Sequence, residues 1–216
     1  MRFQRAPACA LIMAACLAAS LAPPQPADAL RPASAAASAP IIIDHTCTDL
    51  TKIPPAWLTT ARNLAIHYAH TSHGQQLIQG ISKLQELDSR YAFEIAYADS
   101  QPASPRPGGA GVLGIYDGNP PETYIEPDDY WATNGGRNRT RGVAGANVYG
   151  YSMWAWCGQQ SENSAATVQA YLDALHAFES EYPAMRFVYM TGHTDGGGPS
   201  GTLYRNNNLV RDYVRS

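Results

Sequence analysis

The 216-residue chain is 45% hydrophobic, 15% charged and 10% aromatic, which fits one globular domain and excludes a disordered polymer. No self-similar period marks a repeat array. Fifteen Lys and Arg against eighteen Asp and Glu give a net charge of −3, too little basic surface for a phosphate backbone, so no nucleic-acid partner is expected.

Arg2 and Arg5 precede an apolar stretch from Ala8 to Ala22, and Ala27-Asp28-Ala29 supplies the small-x-small pattern that a signal peptidase needs. Residues 1–29 therefore read as a cleaved export signal, and the chain is expected to be secreted or periplasmic. The apolar run is shorter than the roughly 20 residues that cross a bilayer, and Pro23-Pro24 ends it, so no membrane span is expected in the mature chain. Cys16, after Met13-Ala14-Ala15, keeps a lipoprotein anchor as the alternative. Loss of Arg2, Arg5 and Asp28 with the signal leaves a charge of about −4. An Ala/Ser/Pro-rich flexible leader over 30–40 and a single domain over 41–216 follow. Export leaves Cys47 and Cys157 in an oxidising compartment. A disulfide between them is expected, closing a 110-residue loop. It would contribute about 4–5 kcal/mol, and two separate thiols are the alternative. There is no CxxC pattern.

Leu64 to Ala69 reads as a buried strand, broken by His70-Thr71-Ser72-His73-Gly74 before Leu77, Ile78, Ile81, Leu84 and Leu87 set up a helical stripe. Phe93 to Ala98 is a second strand, followed by a long Pro/Gly-rich loop over 101–140. Within that loop Pro102, Pro105, Pro107, Gly108, Gly109 and Gly111 oppose regular structure. Tyr116, Tyr124, Tyr130 and Trp131 could wall a ligand, the alternative being a packed cover; thirteen Tyr and four Trp suit stacking on sugars or filling a core. Asn147 to Trp156 holds a third strand, and Ser161 or Ser164 caps a helix with Val168, Tyr171, Leu172, Leu175 and Phe178 on one face. Arg186 to Thr191 is a fourth strand, running into Gly192-His193-Thr194-Asp195-Gly196, and Leu203 to Val214 is a last helix. Such alternation predicts a parallel sheet with helices on both faces and ligands beyond the carboxyl ends of the strands. The loops at Ser72, Gly158 and Asp195 should therefore gather along one edge.

Ser72 stands where a strand passes into a helix, so its hydroxyl can enter the crevice while its own N–H faces a developing oxyanion; helix capping is the alternative role. This arrangement resembles the SGNH (GDSL-type) hydrolase superfamily, esterases and carbohydrate deacetylases built on a flavodoxin-like sheet. The resemblance implies that Ser72 is the nucleophile, directly after the first strand. It also implies that Gly158, in Trp156-Cys157-Gly158-Gln159, donates its N–H to the oxyanion. Gly192-His193-Thr194-Asp195 then occupies the place of the family's Gly-x-Asn-Asp motif. Thr194 takes the place of the oxyanion-binding Asn, while Asp195 and His193 shape the pocket. His70, Gln159, Tyr116 and Trp131 are expected to contact substrate. The implied activity is hydrolysis of ester or acetyl groups on carbohydrate or other small polar molecules, with no cofactor and no metal.

The family's late Asp-x-x-His, which supplies the general base, has only Asp212-Tyr213-Val214-Arg215 as an echo, and arginine cannot take a proton at neutral pH. One explanation is that the last strand and helix of a flavodoxin-like sheet are missing, which would leave this form inactive. The other is that His73, His70 or His193 serves as a local base. Two further classes stand beside the esterase. One is a zinc hydrolase using His70, His73, His193 and Asp195. The other is a non-catalytic carbohydrate-binding or surface-interaction domain. His45, His67 and His176 read as surface or satisfied core histidines, Asn206-Asn207-Asn208 as a helix-start polar cluster, and Asn138-Arg139-Thr140 as a glycosylation acceptor.

Overall fold

Strands and helices follow one another from residue 55 onward in a computed structural model that describes residues 40–97, 108–118 and 125–216, with the second and third strands consecutive among the described elements. The export signal, nearly all of the leader, Pro102, Pro105, Pro107 and Tyr124 lie outside the described residues. The order is α1 (Pro55–Ala61), β1 (Ala65–His70), α2 (Gln75–Leu87), β2 (Phe93–Tyr97), β3 (Leu113–Asp117), α3 (Asn134–Gly145), β4 (Tyr151–Ala155), α4 (Gln159–Glu162), α5 (Ala165–Glu181), β5 (Arg186–Val188) and α6 (Thr202–Arg215). All strand pairs are parallel and the sheet runs β2-β3-β1-β4-β5. Helices cover both faces, the flavodoxin-like α/β class expected. Among the described residues no helix is long and apolar enough to cross a membrane.

The sheet has five strands rather than four. The additional strand, β3, lies inside the expected loop over 101–140 and sits between β2 and β1, with Gly114 in register with Ala65 and Glu94. Only five residues long and preceded by Gly108, Gly109 and Gly111, it is too short a run to outweigh its surroundings by pattern alone. Among the described residues the sheet thus has five strands. The same stretch also yields α3, whose Thr133 cap accepts the Gly136 N–H at 3.0 Å. Thr140 of the glycosylation motif is buried there, donating to the Tyr130 carbonyl at 2.6 Å.

Helix α5 follows the expected stripe: Ser164 caps it at 3.1 Å, and Val168, Tyr171, Leu172, Leu175 and Phe178 are all buried. Each contributes about 1.5–3 kcal/mol by burial. With Val143 of α3 and Val210 of α6 they cover the sheet face that carries Ala65, Ala69, Trp154 and Phe187. The opposite face is covered more thinly. There α2 buries Ile78 against Tyr68, Ile115 and Ala155, while Leu77 and Leu87 of the expected stripe are exposed.

Tyr116, Tyr130 and Trp131 belong to the first core and line no ligand wall. Tyr130 stacks on Trp154 at 5.1 Å, and Tyr116 and Tyr149 surround the ring of His67. Trp154 donates to Ser152 Oγ at 3.1 Å, the Ser152 hydroxyl faces His67 Nδ1 at 2.9 Å, and His67 Nε2 faces the Gly118 carbonyl at 3.1 Å. A carbonyl only accepts, so the proton sits on Nε2 and Ser152 donates to Nδ1. The imidazole is satisfied as a neutral group.

Burial lowers the His67 ring from 6.5 to about 4, against the Gly118 carbonyl, which favours the charged form. Between those values the unfolded chain takes up a proton that the fold refuses, so stability should fall as pH drops through this window, by about 3 kcal/mol at its lower end. A ring-proton NMR titration should keep His67 neutral down to about pH 4. A midpoint at the ordinary histidine value would contradict the arrangement.

Candidate active site at the carboxyl edge of β1, β4 and β5

From β1 the chain leaves through α2 toward β2 on one side, and from β4 it leaves through α4 and α5 toward β5 on the other. That divergence opens a crevice beyond the carboxyl ends of β1 and β4, the usual place for a ligand in such sheets. A cleft of about 440 Å³ lies instead at the amino edge, lined by Val148, Tyr149, Tyr182 and Met185, with Glu181 as its titratable side chain apart from tyrosines.

The turn Ser72–Gly74 follows β1 directly. Tyr68 donates its hydroxyl to the Gly74 carbonyl at 2.7 Å, and a Cβ on Gly74 would collide with His70 Cβ and lie 2.9 Å from Tyr68 Oη. Only glycine permits so close an approach. His70 is held from the other side by Asp117 of β3, Nε2 to Oδ2 at 3.0 Å, with both side chains buried. Between these fixed points Ser72 takes a φ of 32°, a left-handed conformation costing a non-glycine residue roughly 1–3 kcal/mol. Ser72 and His73 are exposed at the crevice.

At the end of β4, Cys157 N–H donates to Gln159 Oε1 at 2.9 Å, folding that side chain back on its own turn. Gly158 faces open space, with no atom outside its own stretch of chain within 4 Å of where a Cβ would stand. Cys157 Sγ lies 3.2 Å from His73 Nδ1. Partial burial acts to raise the thiol, but hydrogen bonding to its charged form outweighs this and brings it down to about 6. The contributors are the His73 ring and backbone N–H, the Gly158 N–H and the Ser72 hydroxyl.

The third segment is positioned from α6. Asn207 receives the Gly192 N–H at 2.8 Å and donates to the Gly192 carbonyl at 3.1 Å, while Asn206 donates to the carbonyls of Gln160 and Asn163 at 2.9 and 2.8 Å. These asparagines lie within α6 and are buried, not at its start as the sequence suggests. They tie the loops after β4 and β5 together. His193 then stacks on His73, ring centroids 3.8 Å apart and planes 18° from parallel. Its Nδ1 lies 2.7 Å from the Thr194 carbonyl, which assigns the proton to Nδ1 and leaves Nε2 with its lone pair.

Ser72, His73, Gly158 and His193 thus come to one edge with Cys157, and the exposed Thr194 adjoins them. The other expected site residues do not share this arrangement. His70 lies below the turn, paired with Asp117. Asp195 accepts from Ser161 at 2.7 Å and from the Gly197 N–H at 2.8 Å, which hold its carboxyl below the usual range. Tyr116 and Trp131 are core residues. The expected disulfide is absent: Cys47 is exposed and free, and the free Cys157 sulfur is engaged with His73. Sequence reasoning missed Cys157 as a site residue by assigning it to a bridge, and missed Asp117 because β3 was read as loop. The adjacency of Cys157 to Gly158 after a strand was the available signal. Comparisons with protein-family models, curated proteins and solved structures return no match.

Peptide-resolved alkylation of Cys157 should follow a pH profile with a midpoint near 6, and His73→Ala should move that midpoint up toward the ordinary thiol value near 9. A wild-type midpoint near 9 would show that the hydrogen bonds to sulfur do not form in solution.

Proposed function

We propose that this chain is an exported ester hydrolase acting on ester or acetyl groups of carbohydrate or other small polar molecules, with Ser72 as nucleophile. The observation that carries the reading is the backbone of Ser72: a serine held at φ 32° between a central parallel strand and a helix presents its hydroxyl to the crevice at a conformational cost. The export component rests on the charged and apolar pattern of residues 1–29.

In this reaction the Ser72 oxygen attacks the carbonyl carbon and its proton passes to His193 Nε2, the imidazole nitrogen whose lone pair the Thr194 carbonyl leaves available. The backbone N–H groups of Ser72 and Gly158, with the Thr194 hydroxyl, receive the negative charge on the carbonyl oxygen. His193 returns the proton to the departing alcohol. Water then attacks the acyl-serine through the same base, releasing the acid and restoring the hydroxyl. A second reading makes Cys157 the nucleophile, favoured by its thiol lying near 6 and its 3.2 Å contact with His73.

With a chromogenic acetyl ester, Ser72→Ala should lower turnover at least about a thousandfold and Cys157→Ala should lower it far less. His193→Ala should cost about a hundredfold or more. A fluorophosphonate should label Ser72, located by peptide mass. Near-normal turnover in folded Ser72→Ala would exclude the serine reaction, and an acyl adduct on Cys157 would establish the thiol reaction instead.

A further inference from the structure

We infer that His73, Cys157 and His193 form a binding site for one zinc-class divalent ion, with its fourth coordination position open to the crevice. The site shares side chains with the proposed ester hydrolysis but does not rest on it. The three residues follow β1, β4 and β5, which are neighbours in the sheet, and their donor atoms all lie within 4.8 Å of one another. A tetrahedral zinc with bonds of about 2.0–2.1 Å to nitrogen and about 2.3 Å to sulfur separates those two donors by about 3.5 Å. His73 Nδ1 and Cys157 Sγ already stand 3.2 Å apart. The remaining donor separations are at most 4.8 Å.

The outer contacts suit the same assignment. Histidines that bind metal commonly donate their other ring N–H to a carbonyl or carboxylate, and His193 does so to the Thr194 carbonyl at 2.7 Å, leaving Nε2 as donor. Two nitrogens and one sulfur select a borderline-soft ion over calcium or magnesium, which take oxygen ligands. Binding takes the thiolate form of Cys157, and any proton still on the sulfur passes to solvent. With three protein donors, the fourth position is left for a water or an anionic ligand. The ligand set differs from the four residues expected from sequence: His70, buried beside Asp117, and Asp195, bonded to Ser161 and the Gly197 N–H, are not among the three clustered donors.

The test is a Co²⁺ titration of the untagged full chain after chelator treatment, followed by absorption. A thiolate-to-cobalt charge-transfer band and tetrahedral ligand-field bands should saturate at one ion per chain and be displaced by Zn²⁺. The charge-transfer band should vanish in Cys157→Ser, and His193→Ala should weaken Zn²⁺ binding at least about tenfold. Thermal unfolding of each metal-free variant reports its folding. Protection of Cys157 from alkylation by Zn²⁺ gives a readout in the wild-type chain that needs no variant. Absence of a saturating band and of protection, or a band that survives Cys157→Ser but is lost in Cys47→Ser, would overturn the site. Fluorophosphonate labelling of the metal-free chain reports the hydrolase separately: labelling without a cobalt site overturns only the metal proposal, and a cobalt site without labelling overturns only the serine reaction.

Discussion

The contact between Gly74 and His70 governs the geometry of the whole crevice. The chain must turn from β1 into α2 within four residues while the Gly74 backbone packs against a side chain of the strand it has just left. Tyr68 locks that approach through the Gly74 carbonyl, and Asp117 fixes His70 from the neighbouring strand. With both ends of the turn immobile, the backbone reversal falls on Ser72, whose left-handed conformation turns it and His73 outward. A looser turn would let Ser72 relax to an ordinary conformation and carry His73 away from Cys157. Stability of the β1–β3 pair and presentation of the site are therefore the same constraint at two levels.

Helix α6 supplies the complementary constraint. Its two buried asparagines bond only to backbone, one to Gly192 and the other to the segment after Gly158. A side-chain amide carries two donors and a two-lone-pair acceptor, so it can bridge separate loops without introducing charge. Gly192 itself could not carry a side chain, since a Cβ would lie 2.8 Å from Leu203 Cδ1 and 2.9 Å from Gln160 Cβ. The stacking of His193 on His73 thus depends on residues far from either ring. Proton transfer and metal binding make the same demand on this arrangement, a nitrogen lone pair directed into the crevice, and so would compete for His193.

What was legible in the sequence followed the reach of local patterning. Helix α5 could be read because its cap and five buried side chains repeat at helical spacing within one continuous segment. The gathering of loops after β1, β4 and β5 was legible because parallel strands put their carboxyl ends on one edge. Strand β3 was not, since five residues beside a Pro/Gly-rich segment are recognisable as a strand only through their partners β2 and β1. That omission hid Asp117 and its buried pairing with His70. Tyr116 and Trp131 illustrate a different limit: an aromatic side chain in an irregular-looking segment carries no local sign of whether it faces ligand or core. Cys157 was misassigned because cysteine count and compartment speak for pairing, whereas its actual partner is an imidazole 84 positions away.

Among the described residues His193 Nδ1 faces a carbonyl rather than a carboxylate, which bears on the proposed serine reaction. In a serine–histidine–carboxylate triad the carboxylate both selects the imidazole tautomer and stabilises the imidazolium that forms after proton transfer. The Thr194 carbonyl performs the first task for His193, since an acceptor 2.7 Å from Nδ1 leaves the lone pair on Nε2. For the second it offers only a dipole, which is worth less than a full negative charge in the same place. Cys157 partly offsets that deficit: a thiol near 6 is largely ionised at neutral pH, and its sulfur contacts the His73 ring on which His193 stacks. The negative charge that a triad places behind its histidine is here placed beside it, across a second imidazole. An anion so situated favours a cation formed on either ring, so in the proposed serine reaction the thiolate would supply part of the stabilisation that a buried aspartate gives, and the same sulfur is a donor in the proposed metal site.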